Sequence, residues 1–129
     1  MADNLHNCTG TIGRKGEDSA SLYLTERGHT IIERNWRSGH LEIDIISIDK
    51  NGIHFVEVKS RRIPFEAEPQ ESVTGIKQRR LYKAALGYLK TGKGKNIDDA
   101  ECHFDIASVI FERETVIIRI FEDAFFPGI

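Results

Sequence analysis

Two strongly apolar strand patterns, joined by a short polar turn, lie in the middle of the chain and constrain its fold more than any other feature. The patterns cover residues 41–48 (LEIDIISI) and 53–59 (IHFVEVK), and residues 49–52 (DKNG) join them. An Asn-Gly pair between two strand patterns is the strongest short-range signal for a β-hairpin. Because both arms are rich in isoleucine and valine, we expect this hairpin to lie in the centre of a sheet.

Weaker patterns predict the elements that surround the hairpin. Apolar residues at helical spacing predict helices over 14–27 and 73–90, and runs rich in β-branched and aromatic residues predict strands over 30–37, 102–111 and 115–121. A polar loop with two prolines, over 60–72, separates the hairpin from the second helix. The order α-β-β-β-α-β-β predicts an α/β fold with a mixed β-sheet flanked by helices. We expect residues 1–10 to be a disordered N-terminal segment and residues 11–129 to form a single domain.

The strand period brings charged side chains of the hairpin together. Side chains alternate between the faces of a strand, so Glu57 and Lys59 share one face of the second arm. In a two-residue Asn51-Gly52 turn, Asp44 lies opposite Lys59 and Glu57 is its diagonal neighbour. In the alternative register, Asp44 faces Glu57 directly. Either register places the three side chains on one face, within reach of one another.

The same periodicity predicts the orientation of the neighbouring residues. Leu41, Ile43 and Ile45 should share the opposite face of the first arm. Glu17 lies on the same face of the first predicted helix as the apolar Leu24, so its carboxylate should point towards the sheet. The alternative for Glu17 is an ordinary acidic residue in the first turn of a helix.

These residue types suit phosphodiester chemistry. Two neighbouring carboxylates repel each other unless a cation lies between them, and oxygen ligands suit Mg²⁺ or Mn²⁺. Such an ion makes water more acidic and stabilises charge on a phosphate, and a nearby ammonium can orient the attacking water. Asp44, Glu57 and Lys59, with Glu17 as a further carboxylate, therefore predict a metal-dependent phosphodiester site. The alternative is a salt-bridged sheet surface in which Lys59 only pairs with the acids.

Positive charge is concentrated after the hairpin, although the chain as a whole has a formal net charge of −2. Residues 59–95 carry ten lysines and arginines against three glutamates. This clustering predicts a surface that attracts a phosphate backbone, unless it is only a solvated basic face. We expect Arg61 and Arg62 to contact phosphate beside the scissile bond. Lys77 and Arg80, on one face of the second helix, should reach over the sheet towards the acidic residues.

Other bulk properties exclude several classes of protein. No apolar run approaches the roughly 18 residues that a membrane span needs. The first ten residues lack the apolar core of a signal peptide. The two cysteines, Cys8 and Cys102, do not resemble a disulfide framework. We therefore expect a cytoplasmic protein with no membrane partner.

An ordered series of short motifs resembles one known family. The series comprises Gly-x-x-Gly-Glu at 13–17, Asn-Trp-Arg at 35–37, Glu-Ile-Asp-Ile-Ile at 42–46, Phe-Val-Glu-Val-Lys at 55–59 and Phe-Asp-Ile at 104–106. In this order the motifs resemble the YraN-like family, which consists of small bacterial proteins of unassigned function. That family is similar in turn to archaeal Holliday-junction resolvases and other PD-(D/E)XK nucleases.

The resemblance implies a restriction-endonuclease-like fold and assigns roles by position. Asp44 and Glu57 would be metal ligands, with the carbonyl of Val58 as a third. Lys59 would be the catalytic lysine, and Glu17 the carboxylate on the first helix. The resemblance also implies that the second helix lines the substrate groove with its two basic residues named above.

Together, these features predict a Mg²⁺- or Mn²⁺-dependent endonuclease that acts on DNA, including branched or damaged structures. Two alternatives stay open. One is a nucleic-acid-binding protein with the nuclease fold but no significant cleavage activity, and the other is an interaction protein whose charged face is only a salt-bridge network. The presence of all four expected site residues favours the nuclease. Because a chain this small covers little of a duplex or junction, we also expect a homodimer.

Overall fold

A five-stranded mixed β-sheet forms the centre of the protein, and one helix packs on each of its faces. The structure, a computed structural model, describes residues 8–63, 75–97 and 99–125. In chain order its elements are α1 (Cys8–Glu26), β1 (Thr30–Ser38), β2 (Leu41–Asp49), β3 (Gly52–Ile63), α2 (Gly75–Leu89), a short 3₁₀ helix (Gly94–Ile97), β4 (Cys102–Glu112) and β5 (Thr115–Phe121).

The strands lie side by side in chain order, β1-β2-β3-β4-β5. All neighbouring strands are antiparallel except β3 and β4, which are parallel. A parallel pair needs a crossover connection, which here contains α2. The predicted α/β class, with a mixed sheet flanked by helices in the order α-β-β-β-α-β-β, is confirmed. None of the helices in the described ranges is long and apolar enough to cross a membrane.

Two elements are longer than their sequence patterns predict. α1 begins at Cys8, six residues before the start that its sequence pattern predicts, and the added residues include the buried Ile12. β3 continues to Ile63 because residues 60–63 pair with β4. The predicted loop over 60–72 is therefore wrong at its start, since tertiary pairing overrides the polar local sequence. Residues 1–7 and 64–74, with both loop prolines and the predicted start of the second helix, lie outside the described residues.

α1 covers one face of the sheet. Ala20 and Leu24, one helical turn apart, pack on side chains of β2, β3 and β4 to form the α1-side core, whose buried members are Ala20, Leu24, Ile45, Val56, Ala107 and Val109. Gly28, with a φ of 100°, ends the helix: its N–H donates to the carbonyl of Thr25, and the N–H of His29 donates to that of Leu24. This pair of bonds is a Schellman motif, for which a left-handed glycine is suited.

α2 covers the opposite face. The apolar stripe predicted for this helix is buried against the sheet. The resulting α2-side core contains Ile43, Ile46, Ile53, Phe55, Leu81, Ala84, Ala85, Tyr88 and Phe125. The hairpin of β2 and β3 is thus covered on both faces, as its apolar composition predicts.

The hairpin adopts the alternative register. Asp49 pairs with Gly52, so the loop residues are Lys50 and Asn51, and of the two registers left open by the sequence the one with an Asn51-Gly52 turn does not form. Asp49 Oδ1 accepts a hydrogen bond from the N–H of Asn51 at 2.9 Å, which stabilises the observed turn. Gly52 instead begins β3 with a φ of 134°, where a Cβ atom would overlap the carbonyl of Glu101.

Candidate active site

β1 and β2 change the face to which their side chains point at one level of the sheet. In β2, Leu41 and Ile43 pack with the α2-side core but Ile45 packs in the α1-side core, although such residues normally share a face. The prediction that all three share one face is therefore wrong for Ile45. The register places Asn35 of β1 opposite Asp44, and Asn35 has a left-handed φ of 53°. Asn35 thus lies at the level of the sheet where the side chains of both strands switch from one face to the other.

Asp44 lies where β2 and β3 separate. The last pair of residues before this point is Ile45 with Val56. Beyond it, Asp44 Oδ2 accepts a hydrogen bond from the N–H of Val58 at 2.8 Å. The backbone N–H of Val58 therefore donates to a side-chain carboxylate and not to a carbonyl of the neighbouring strand. This bond fixes the position of the Asp44 side chain.

Two open cavities meet at Asp44 and Glu57. The first has a volume of about 340 Å³, lies on the α1 side and is also lined by Glu17. The second has a volume of about 330 Å³, lies on the α2 side and is also lined by Lys77 and Arg80. Both acidic residues line both cavities, so the two cavities adjoin at Asp44 and Glu57, and together they are called the cleft below.

Glu17 approaches this cleft from α1. Its Oε1 accepts a hydrogen bond from Asn35 Nδ2 at 2.9 Å and lies 3.7 Å from Nη2 of Arg34. Two consecutive residues of β1 can both reach α1 because Asn35 is left-handed. No role for Asn35 was predicted from the sequence, although asparagine tolerates this conformation better than most residues and lies in one of the motifs.

α1 can come this close to the sheet because residue 16 is glycine. A Cβ atom on Gly16 would overlap the Oγ of Ser60 on β3. The Oγ of Ser60 is itself buried, and within the described part of the chain it has no hydrogen-bond partner. Ser60 lines the α1-side cavity together with Glu17. The glycine of the Gly-x-x-Gly-Glu motif thus allows the next residue to reach the cleft.

The cleft is unfavourable for negative charge. Burial and the neighbouring Glu57 carboxylate raise the pKa of Asp44 from 3.8 to about 8; Glu17 and Glu42 act in the same direction, and the hydrogen bond from Val58 opposes them. An acid in such surroundings either keeps a proton or is neutralised by a cation. The oxygen donors of the cleft could therefore hold a hard divalent cation.

The basic residues of α2 lie at the edge of the cleft. Lys77 Nζ is 3.4 Å from Glu57 Oε2, and the Lys77 side chain is 40% exposed. Arg80 is exposed and lines the same α2-side cavity. α2 therefore places two basic side chains beside the acidic residues.

The remaining predicted site residues lie further along β3. Lys59, Arg61 and Arg62 are half-buried on the part of the strand that pairs with β4. The described residues that line the two cavities do not include these three. The structure thus brings together the predicted carboxylates and the α2 cations.

A second group of metal-binding side chains lies outside the cleft. His29, Asp49 and His54 offer ligand atoms that all lie within 4.8 Å of one another. The three residues are far apart in the sequence or separated by the hairpin turn, and no motif or spacing in the chain predicts their meeting.

Comparison with known proteins gives a consistent family assignment. Residues 16–109 match the model of a family described as "Uncharacterised protein family UPF0102". A UPF0102 protein of Bacteroides thetaiotaomicron is 39% identical over 116 residues, which are 90% of this chain and 93% of the relative. A UPF0102 protein of Syntrophus aciditrophicus is 42% identical over 113 residues, or 88% of this chain and 87% of the relative.

One solved structure with similarity to the chain is that of Pyrococcus furiosus SfsA in complex with Ca²⁺. The two share 21% sequence identity with a TM-score of 0.40. The similarity covers 88% of this chain but only 63% of the SfsA chain.

Proposed function

The chain belongs to the uncharacterised protein family UPF0102, as its YraN-like motifs predict, and we propose that it is a divalent-metal-dependent nuclease that hydrolyses phosphodiester bonds in DNA. The observation that carries this proposal is the meeting of Asp44, Glu57 and Glu17 in one open cleft with Lys77 and Arg80 at its edge. Carboxylates this close favour a bound cation, and the basic edge complements a phosphate backbone.

Asp44, Glu57 and the carbonyl of Val58 hold Mg²⁺ or Mn²⁺ in this proposal. Oxygen-only ligands in an open cleft suit a hard cation that keeps several of its waters. The raised pKa of Asp44 also suits such a site, because a cation would favour its charged form. When bound, the ion supplies positive charge beside the scissile phosphate and makes a nearby water more acidic.

The other residues of the cleft bind the DNA phosphates and orient water. Glu17, fixed by Asn35, accepts hydrogen bonds from water on the α1 side. Lys77 exchanges its contact with Glu57 for a phosphate oxygen when DNA enters. Lys59 orients the attacking water and neutralises developing charge. The remaining basic residues on the predicted DNA-binding surface, Arg61, Arg62 and Arg80, extend the phosphate contacts on either side.

Cleavage of linear, flapped and four-way-junction DNA tests the catalytic assignment. The wild type should cleave at least one of these substrates with Mn²⁺ and none in EDTA. Loss of a metal ligand should lower the rate at least ~100-fold, so Asp44→Asn and Glu57→Gln should be nearly inactive. Glu112→Gln, which removes an exposed carboxylate at the end of β4, should cleave like the wild type. Equal rates for Asp44→Asn and the wild type would exclude this site.

DNA binding in Ca²⁺, measured at several salt concentrations, tests the basic edge. Lys77→Gln and Arg80→Gln should each weaken binding to all sequences and reduce the salt slope by about 1. Lys50→Gln removes an exposed cation from the hairpin turn, away from the cleft, and serves as the matched control. A salt slope that changes equally in all three variants would contradict the assignment of α2 to the DNA surface.

A nucleic-acid-binding protein without significant cleavage activity is the second candidate. It is favoured by the position of Lys59, which is half-buried and absent from the described residues that line the cleft. Under this alternative, DNA affinity depends on Lys77 as above, whereas Mn²⁺ produces no cleavage of any substrate. Cleavage by the wild type that is abolished in Lys59→Ala would exclude it.

We further propose that the protein acts as a homodimer in the cytoplasm. β5 lies at the edge of the sheet and exposes Val116, Ile117 and Phe121. An exposed apolar edge strand favours pairing with a second copy. Light scattering should give twice the chain mass, and Ile117→Lys should give the monomer. Cys102 is an exposed free thiol, which a reducing cytoplasm would keep unpaired.

A further inference from the structure

A cluster of three nearly buried polar residues lies at the turn end of the central hairpin. His29 follows α1, Asp49 ends β2 and His54 lies near the start of β3. The Asp49 carboxylate lies close to both imidazole rings. Its Oδ1 is 2.8 Å from His54 Nε2, and its Oδ2 is 3.4 Å from His29 Nε2. The side chains of His29, His54 and Asp49 are only 6%, 2% and 11% exposed. The cluster is five residues along β2 from Asp44, or about 17 Å, and is separate from the cleft.

Each histidine ring is held by its other nitrogen. Nδ1 of His29 shares a hydrogen bond with Ser47 Oγ at 2.9 Å, and Nδ1 of His54 shares one with Asp105 Oδ2 at 2.7 Å. Both Nε2 atoms are thereby directed at the carboxylate of Asp49. This is the arrangement of metal-binding histidines, whose non-ligating nitrogen normally contacts a carboxylate, hydroxyl or carbonyl that orients the ring.

We propose that His29 Nε2, His54 Nε2 and the Asp49 carboxylate bind a divalent transition-metal ion of the zinc type. Two imidazoles and one carboxylate favour Zn²⁺ over Mg²⁺, which prefers oxygen ligands alone. The charges also balance, because a divalent ion with two neutral imidazoles neutralises the carboxylates of Asp49 and Asp105. When the ion binds, it replaces the proton that joins His54 Nε2 to Asp49, and this proton leaves to solvent.

The position of the cluster indicates a structural role for the ion. Its ligands come from three places: the end of α1, the end of β2 and the start of β3. The backbone of His29 is fixed by the Schellman motif that ends α1. An ion bound there would tie the first helix to the central hairpin.

Zinc binding by the full chain tests the proposal. Protein freed of metal with a chelator should bind one Zn²⁺ per chain and gain at least ~5 °C in Tm. The same should hold for Asp44→Asn, in which the cleft is disabled. His29→Gln should bind Zn²⁺ at least ~10-fold more weakly and lose the gain in Tm. His40→Gln, which removes an exposed histidine, is the matched control and should behave like the wild type.

Two outcomes of the binding experiment would overturn the proposal. One is the absence of stoichiometric Zn²⁺ binding; the other is binding that survives in His29→Gln and disappears in Asp44→Asn. Ring-nitrogen NMR of the wild type gives an answer even if His29→Gln does not fold. Zn²⁺ should shift the Nε2 resonances of His29 and His54, and unshifted resonances would also overturn the proposal. The nuclease proposal does not depend on this result, because the Asp44→Asn variant separates the two sites.

Discussion

Replacing Asp44 with asparagine should stabilise the metal-free protein while removing its response to metal. The burial of Asp44 and the neighbouring Glu57 raise the pKa of its carboxyl group from 3.8 to about 8. Asparagine is neutral at every pH and has nearly the same shape. Its amide oxygen can still accept the hydrogen bond that the N–H of Val58 donates to Asp44 Oδ2 at 2.8 Å. The substitution therefore removes the cost of charging or protonating the buried carboxyl group and keeps the local structure.

The size of the gain follows from linkage between protonation and folding. A carboxyl group whose pKa is higher in the folded state contributes stability that is fully present below pH 3.8 and is lost as the pH rises through 8. At pH 7 this difference corresponds to a ceiling of about 4 kcal/mol. Because Asp44 is only partly buried, solvent screening should reduce the gain to about 2 kcal/mol.

Urea unfolding in EDTA measures this gain. The advantage of Asp44→Asn over the wild type should be smaller at pH 5 than at pH 7, because the unfolded carboxyl group, with its pKa of 3.8, is more easily protonated on folding at the lower pH. With Mn²⁺ the order should reverse, because the ion stabilises only the protein with a complete set of ligands. Glu112→Gln should change the free energy of unfolding by less than about 0.5 kcal/mol under all conditions.

Two results would refute the reasoning. If Asp44→Asn is less stable than the wild type in EDTA at pH 7, the carboxylate is not destabilising in the folded protein. If Mn²⁺ raises the stability of both proteins equally, Asp44 is not a metal ligand.

Three further predictions concern the supporting structure. Burial opposes protonation of His54, but hydrogen bonds to two aspartates raise its pKa from 6.5 to about 9. The stability that the protonated ring contributes is therefore fully present below pH 6.5 and is lost as the pH rises through 9. Between these pH values the metal-free wild type should lose about 2 to 3 kcal/mol more than His54→Gln in urea unfolding, and parallel pH profiles would contradict this. Gly16→Ala should lower the free energy of unfolding by about 1 to 3 kcal/mol because the new Cβ atom overlaps Ser60, and adding Ser60→Gly should recover part of this loss. A double-mutant cycle without coupling would show that the position of the helix does not depend on this contact. Asn35→Ala should lose both stability and cleavage activity. Asn35→Gly, which keeps the left-handed backbone but not the hydrogen bond to Glu17, should lose mainly cleavage activity. Equal stability of the two variants would argue against backbone strain at this position.

The order of the elements could be predicted because it depends on local signals. Alternating and helical apolar patterns, together with the turn residues, determine where strands and helices form. The proximity of Asp44 and Glu57 was also predictable, because both possible hairpin registers place them near each other. The register that forms was not predictable from the sequence. It depends on the hydrogen bond that Asp49 accepts within the turn and on the close approach of Gly52, at the start of β3, to the carbonyl of Glu101.

Only tertiary structure decided the details of the cleft. The exchange of faces at Asp44 accompanies a left-handed Asn35 in the neighbouring strand, a conformation that asparagine permits but does not require. The strand pairing that continues β3 to Ile63 takes Lys59 and the arginines after it into a long parallel ladder. A polar local sequence gives no sign of that pairing, because the partner strand lies beyond the next helix.

The sequence by itself thus determined the central hairpin, the two helices that cover it and the acidic character of the candidate site. The meeting of His29, Asp49 and His54 required the folded chain, because their contacts depend on where α1 ends against the sheet. Periodicity acts over a few residues and determines which face a side chain occupies. The distance between side chains of different elements depends on register and packing, which only the whole fold determines.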